Sequence, residues 1–133
     1  MHNKKVVIID ANEKYLKELE IILVTGGYVP ILVSDPYLAV DMVIQNRPDV
    51  VLIELRLPHK NGFELIDRLN RIFGTKKVPI IAMSEIFKYE FLWLLDFYGI
   101  KKWIKKPFQP LDVIWAIENE ITEYSCAQEL VLQ

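Results

Sequence analysis

Residues 48–62 read PDVVLIELRLPHKNG, and this stretch decides the fold. Its centre is a run of four apolar residues, Val50–Ile53, which is followed at once by an acid, Glu54. The run is rich in Val and Ile and is too short for a helix. Such a segment is typical of a strand that is buried on both faces of a parallel sheet.

Other segments of the chain extend this pattern to five strands. Val6–Ile9 and Val78–Met83 have the same composition, Pro30–Val33 predicts a further strand, and Trp103–Ile104 begins the last one. Stretches of helical periodicity lie between and after them, and they predict helices at residues 16–23, 38–46, 62–73, 87–98 and 111–124. Strands and helices that alternate five times predict an α/β fold, a (βα)5 doubly wound five-stranded parallel sheet with helices on both faces.

The composition is that of one folded domain in a reducing compartment. The chain has 133 residues, 52% of them apolar, and 16 Lys and Arg against 18 Asp and Glu, for a formal charge of −2. This excludes a disordered chain, which would combine low hydrophobicity with high net charge. Cys126 is the only cysteine, which excludes a disulfide scaffold and favours a cytoplasmic location.

Two classes of partner are not expected. No apolar stretch approaches the ~18 residues that a membrane span requires, so the sequence predicts no membrane partner. Lys101, Lys102 and Lys105 form one local basic run, which we expect to be solvated at the ends of a strand. Nucleic-acid binding would require a larger basic stripe, so it is not predicted.

Polar side chains follow four of the predicted strands. Asp10, Glu54, Ser84 and Lys106 each come directly after or close to the end of an apolar run. The carboxyl ends of parallel strands share one edge of a sheet, and ligands of such sheets bind there. We therefore expect these four side chains to converge on one site.

Three blocks at these positions resemble the receiver domains of bacterial response regulators. They are residues 48–62, the segment VPIIAMS at 78–84 and the segment GIKKWIKKPF at 99–108. The resemblance covers nearly the whole chain and implies the flavodoxin-like receiver fold over residues 1–124, with 125–133 as a C-terminal tail or linker. It implies that Glu54 stands at the phosphoacceptor position, with Ser84, Trp103, Lys106 and Pro107 at the family's switch and conserved positions. The peptide bond from Lys106 to Pro107 is then expected to be cis.

The sequence departs from the family pattern at the acids. Glu54 stands in place of the accepting Asp, and Ala11 in place of the second acid of the Mg²⁺-binding pair, which leaves Asp10 and Glu54 as the only metal-binding candidates. Mg²⁺ binding is therefore expected to be weak if it occurs, and no cofactor is predicted. Glu reaches ~1.5 Å further than Asp, and misplacements near 1 Å can cost ~100-fold in rate. The resemblance thus implies an atypical receiver, or pseudo-receiver, that is not an enzyme.

Three interpretations of Glu54 remain open at this point. It can be the retained acid of an inactive site that pairs with Lys106. It can imitate the phosphorylated state and hold Ser84 and Trp103 in an active-like arrangement. It can also belong to a working receiver that accepts phosphate from a histidine kinase.

Two predicted helices carry more large apolar side chains than one core face can use. With residues placed at 100° intervals, Phe87, Phe91, Leu94, Leu95 and Tyr98 form the core face of the fourth helix. The side chains predicted to face away from the core on the fourth and fifth helices are Tyr89, Trp93, Phe97, Leu111 and Trp115. Exposed apolar patches usually mark interaction sites, so we expect a protein partner here, either a histidine kinase or effector or a second copy in a homodimer. The alternative is that neighbouring helices or the C-terminal tail cover these residues.

Overall fold

The computed structural model describes the backbone of residues 3–74 and 78–132 and the side chains of this part up to Cys126. Its strands, in chain order, are β1 (Lys5–Ile9), β2 (Val29–Val33), β3 (Val50–Glu54), β4 (Arg56–Leu57), β5 (Lys60–Asn61), β6 (Ile80–Ser84) and β7 (Lys102–Lys105). Its helices are α1 (Glu13–Thr25), α2 (Ala39–Asn46), α3 (Gly62–Phe73), α4 (Tyr89–Phe97) and α5 (Pro110–Leu132). A 3-10 turn, Pro36–Leu38, leads into α2.

Five of the strands form one sheet, in the order β2-β1-β3-β6-β7. Every neighbouring pair in this sheet is parallel. The predicted five-stranded parallel (βα)5 architecture is therefore confirmed. Because all five strands point the same way, their carboxyl ends lie at one edge of the sheet.

The side chains of the central strands alternate between two cores. Val51 and Ile53 of β3 pack on one face of the sheet, against α2, α3 and α4. Val50 and Leu52 of the same strand pack on the other face, against α1 and α5. Burial on both faces explains why this strand reads as a continuous apolar run.

The elements depart most from the predictions after β3, at the start of the fourth helix and at the end of the fifth, while other boundaries shift by a few residues. After β3 the chain forms a short antiparallel hairpin, β4 and β5, which we did not predict because two-residue strands carry no periodic signal. The fourth helix is shorter than predicted, since α4 begins at Tyr89. The fifth helix does not end at Tyr124 but continues to Leu132. Within the described residues, no helix combines the length and apolarity needed to cross a bilayer.

Candidate functional site

Four polar residues converge at the carboxyl edge of the sheet. Asp10 follows β1, Glu54 ends β3, Ser84 ends β6 and Lys106 follows β7. They are 2%, 7%, 0% and 3% exposed, and among the described residues they are the buried polar or charged ones. The predicted convergence is confirmed, and these residues are here called the strand-end centre.

A charged triad of Lys106, Asp10 and Glu54 forms the middle of the centre. The ammonium group of Lys106 donates to Asp10 Oδ2 and, at 2.7 Å, to Glu54 Oε1. Each acid also accepts from a backbone N–H group: that of Asn12 lies 3.0 Å from Asp10 Oδ1, and that of Arg56 lies 3.1 Å from Glu54 Oε2. All four carboxylate oxygens therefore have a donor from the chain itself.

The environment of Lys106 keeps its ammonium group charged. Burial alone would lower the pKa of Lys106, but its hydrogen bonds to Asp10 and Glu54 and their negative charges outweigh this, so the pKa is raised. The ammonium group also lies 4.1 Å from the centroid of the Tyr15 ring. Tyr15 in turn contacts the ring of Phe108, at a centroid distance of 5.7 Å. The lysine is thus enclosed by two acids and an aromatic face.

Ser84 is buried beside the triad, yet it is not part of its hydrogen-bond network. Its backbone carbonyl accepts the N–H of Lys106 at 2.9 Å, which ties β6 to the segment after β7. Its hydroxyl oxygen is buried and has no hydrogen-bond partner among the described residues. The next peptide bond of that segment, from Lys106 to Pro107, is cis, as predicted.

The resemblance to receiver domains implies a Mg²⁺ ion at such a centre, and the side chains present determine whether one fits. An open pocket of about 410 Å³ adjoins Asp10, Ala11, Glu54 and Lys106. Mg²⁺ requires near-octahedral oxygen ligands, usually including one or two free carboxylates. Here the two buried carboxylates, Asp10 and Glu54, are already paired with an ammonium group, Ala11 offers no side-chain ligand, and the third carboxylate that lines the pocket, Glu85, is exposed. Among the described side chains, no group of three or more His, Cys, Asp or Glu is arranged so that it could hold a metal ion. The centre does not fit a magnesium ion.

The sequence placed Asn12 at this edge but did not predict its role, and the contributions of Arg56 and Tyr15 were missed. Asn12 caps α1, where its side chain accepts from the N–H groups of Lys14 and Tyr15, and an Asn before a helical pattern is a recognisable capping signal. Arg56 contributes a backbone N–H, which any residue type except proline could supply. The ring contact of Tyr15 depends on the helix orientation, for which the sequence carries no signal.

A second surface lies on α4, β7 and α5. The five residues predicted to face outward are all well exposed: Tyr89 (73%), Trp93 (67%), Phe97 (77%), Leu111 (81%) and Trp115 (61%). We call them the aromatic face. Within the described side chains no helix or tail segment covers them. Of the residues predicted to form the core face here, Leu95 of α4 is fully buried, and Phe91 of α4 packs against the core, as do Phe87 and Tyr98, which flank the helix. Leu94 is 36% exposed and was wrongly placed on that face.

Two residues of β7 border the aromatic face. Trp103 is 46% exposed and its ring lies 6.3 Å from that of Phe87, centroid to centroid. Lys102 was expected to be solvated, but its side chain is only 14% exposed and that expectation was wrong. Its ammonium group lies 3.0 Å from Glu123 and 3.9 Å from Glu120, because α5 packs directly beside β7.

Comparison with known proteins shows which family and which solved structures this chain is similar to. The family model described as response regulator receiver domain matches residues 6–118, which is well over half of the chain. A CheY-like receiver domain protein from Methanospirillum hungatei superposes with a TM-score of 0.87 at 19% identity, covering 95% of this chain and 99% of that one. The chemotaxis protein CheY4 of Vibrio cholerae gives 0.82 at 21% identity, with coverages of 89% and 98%. The signal receiver domain of a modulated diguanylate cyclase from Desulfovibrio desulfuricans gives 0.84 at 21% identity, with 95% and 99%. At these identities the solved structures show the shared fold.

Proposed function

The chain belongs to the response regulator receiver family, and from this premise we propose that it is a pseudo-receiver, a signalling module that binds a protein partner and is not itself phosphorylated. Receiver domains are modules of two-component signalling and interact with proteins such as kinases and effectors. The observation that carries the proposal is the triad itself. Glu54, at the position that corresponds to the family's accepting Asp, has both carboxylate oxygens held by Lys106 and the Arg56 N–H.

Phosphoryl transfer places demands that this centre does not meet. Catalysis of this step consists almost entirely of positioning and of neutralising charge, usually by a metal ion. Glu54 extends ~1.5 Å further than Asp would, and a misplacement near 1 Å can cost ~100-fold. The family has a second Mg²⁺-binding acid at the position after Asp10, and in this chain that position is occupied by Ala11. A displaced acceptor and an unsuitable metal position both support a module without catalytic activity.

The contacts favour one of the three interpretations of Glu54. A mimic of the phosphorylated state would be expected to engage Ser84 and to hold Trp103 inward. The Ser84 hydroxyl has no partner among the described residues, and Trp103 is 46% exposed. We therefore infer that Glu54 serves as an ion-pair partner of Lys106 and does not imitate a phosphoaspartate.

Incubation with acetyl phosphate and Mg²⁺, followed by intact-mass spectrometry, tests the lack of phosphorylation. We expect no mass gain in the wild-type protein. The matched control is the double variant Ala11→Asp/Glu54→Asp, which restores the family's acids and is expected to gain one phosphoryl group. A gain of one phosphoryl group by the wild-type protein would contradict the proposal and would favour a receiver that accepts phosphate from a histidine kinase.

We propose that the aromatic face is the surface through which the module binds its partner. Trp and Tyr dominate interface hot spots because they bury large areas at low entropic cost. The face combines five exposed large apolar residues, three of them Trp or Tyr, on α4 and α5, which cover opposite faces of the sheet whose edge strand is β7. The ammonium group of Lys102, which is paired with Glu123, lies 5.8 Å from the centroid of the Trp115 ring at the border of the face. The partner is a second copy of the chain, a kinase or an effector.

Experiments with the variant Trp93→Glu distinguish between these possible partners. Size-exclusion chromatography with light scattering measures the mass of the wild-type protein and of the variant. A homodimer is expected to dissociate in the variant, whereas a constant monomeric mass would exclude the homodimer. A pull-down from the source cell then tests for a kinase or effector, whose capture should be lost in the variant. Ile21→Glu is the matched control, because Ile21 on α1 is as exposed as Trp93, at 67%.

We place the module in the cytoplasm. Its single cysteine, Cys126, is exposed and free, which suits a reducing compartment. Fractionation of the source cell checks this placement, which predicts that the protein is recovered with cytoplasmic markers.

A further inference from the structure

The ammonium group of Lys106 lies where a metal ion would have to bind, between the two acids of the strand-end centre. We infer that Lys106 is the resident cation of this centre, that it excludes divalent metal ions, and that Asp10 and Glu54 bind such an ion only when the lysine charge is removed. This inference rests on the proposed function, because a module without phosphoryl transfer does not need the metal.

The hydrogen bonds supply the first argument. Each of the four carboxylate oxygens of Asp10 and Glu54 accepts from one donor of the chain, two of them from Lys106 and two from backbone N–H groups. A divalent ion would have to displace the ammonium group to reach Oδ2 of Asp10 and Oε1 of Glu54. The displaced ammonium would then be unpaired in a buried position, which is strongly unfavourable because neither water nor an acid compensates its charge.

The surroundings of the lysine supply the second argument. The side chain of Lys106 is 2% exposed, and its ammonium group lies against the face of Tyr15. The Lys106 N–H is also tied to the backbone of Ser84. The lysine is therefore held in the centre at both its backbone and its charged end, and it cannot move into solvent without breaking these contacts.

The charges supply the third argument. Two carboxylates and one ammonium leave the triad with a single negative charge, whereas the two acids without the lysine would carry two. Both acids contact the same nitrogen atom, so a single cation could reach both. Removing the lysine charge therefore creates a buried, doubly negative pair of oxygen ligands, the type of site that Mg²⁺ and Mn²⁺ prefer.

Mn²⁺ is the probe for this inference, since its paramagnetism broadens the NMR signals of nearby nuclei. The signals to follow are the backbone amides of Asn12 and Arg56, which donate to the two acids. In the wild-type protein we expect no selective broadening at millimolar Mn²⁺. In Lys106→Met we expect selective broadening of both amides at an Mn²⁺ concentration at least ~100-fold lower, because a cation is no longer repelled at close range. Lys105→Met, which removes an exposed lysine next in sequence, should behave like the wild type.

Two results would overturn the inference. One is selective broadening of both amides in the wild-type protein, and the other is an absence of broadening in a folded Lys106→Met variant. If that variant does not fold, the ammonium signal of Lys106 in the ¹⁵N-lysine-labelled wild-type protein provides the test. It should be protected from exchange and unchanged by millimolar Mg²⁺, and a loss or shift of that signal with Mg²⁺ would contradict the inference.

These results are distinguishable from a failure of the proposed function. Metal binding by the wild-type protein without any mass gain from acetyl phosphate contradicts only the role of Lys106. A mass gain of the wild-type protein from acetyl phosphate, without Mn²⁺ binding, contradicts only the proposal that the module is not phosphorylated.

Discussion

We expect the hydroxyl group of Ser84 to lower the stability of the folded protein. It is fully buried and, among the described residues, has no hydrogen-bond partner. A buried unsatisfied polar group costs about 1–3 kcal/mol. We expect Ser84→Ala to raise the free energy of unfolding by about 1 kcal/mol, because the variant loses the hydroxyl and keeps the backbone bond to Lys106.

Urea unfolding of Ser84→Ala measures this change. Ser34→Ala is the control, since Ser34 is exposed and its substitution should stay within about 0.5 kcal/mol of the wild type. A clear loss of stability in Ser84→Ala would mean that the hydroxyl has a partner and would contradict the prediction.

The members of the strand-end centre were predictable from sequence, whereas its bonding was not. Asp10, Glu54, Ser84 and Lys106 follow apolar runs, and the parallel direction of the strands is enough to bring them together. The pairing of Glu54 with Lys106 was among the interpretations, but the contact of Lys106 with Asp10 was not. That contact depends on how far a long side chain reaches across the sheet edge, and no pattern of residue types encodes this distance.

At the scale of elements, the junction between β3 and α3 is closely packed. Asn61 caps α3 by accepting from the N–H of Phe63 at 2.8 Å, and the N–H of Gly62 donates to the carbonyl of Leu55 at 3.0 Å. A Cβ atom on Gly62 would lie 2.7 Å from the carbonyl oxygen of Glu54 and from Leu55 Cα. These are backbone atoms at the end of β3, so they cannot rotate away.

We therefore expect Gly62→Ala to lower the free energy of unfolding by about 1–3 kcal/mol, the usual cost of overpacking. Thermal and urea unfolding measure it. In the control, Gly26→Ala, the new Cβ would lie 2.7 Å from Ile114 Cδ1, the mobile end of a side chain that can move aside. The prediction is wrong if Gly62→Ala is no more destabilising than this control.

At the contact between β7 and α5, the ionisation of Glu120 makes the free energy of unfolding depend on pH. Burial raises the pKa of Glu120, Lys102 lowers it, Glu123 raises it and Lys101 lowers it, and the net result is a raised pKa. A raised carboxyl pKa means that ionisation is unfavourable in the folded state. The cost is absent below the ordinary value of 4.5 and grows as the pH rises from there through the raised value.

Glu120→Gln should therefore raise the free energy of unfolding at pH 7, and the gain should disappear near pH 3.5. The gain should be less than about 1 kcal/mol, because solvent screens charges that are partly exposed. Urea unfolding at both pH values measures it. Glu18→Gln, at an exposed position of α1, is the control and should change stability by less than about 0.5 kcal/mol. A stability loss at pH 7 would show that the pairing with Lys102 outweighs the burial cost.

At the scale of the whole molecule, the architecture could be predicted because the clearest patterns in the sequence are the apolar runs that form the sheet. Strands buried on both faces must be apolar throughout, and the helices that cover them must be amphipathic. The end of α5 was less predictable. No Gly or Pro follows Tyr124, so the sequence contains no stop signal there. The helix continues to Leu132 although Ser125 and Cys126 are exposed.

The proposed domain boundary at residue 124 leads to a prediction about the whole fold. Among the described side chains of α5, Val113, Ala116 and Ile117 are in the core and Ile114 and Ile121 are partly buried, so the described packing of this helix on the sheet lies within residues 110–121. A chain that ends at Tyr124 is expected to keep the fold, with a free energy of unfolding within about 1 kcal/mol of the full chain, because it keeps all of these core residues. Urea unfolding of the two chains measures this.

A chain that ends at Asn119 is the control and should lose several kcal/mol, since it removes Ile121 and Glu120 together with the Lys102 ion pair to Glu123. A comparable loss on truncation at Tyr124 would place residues 125–133 inside the domain and contradict the boundary.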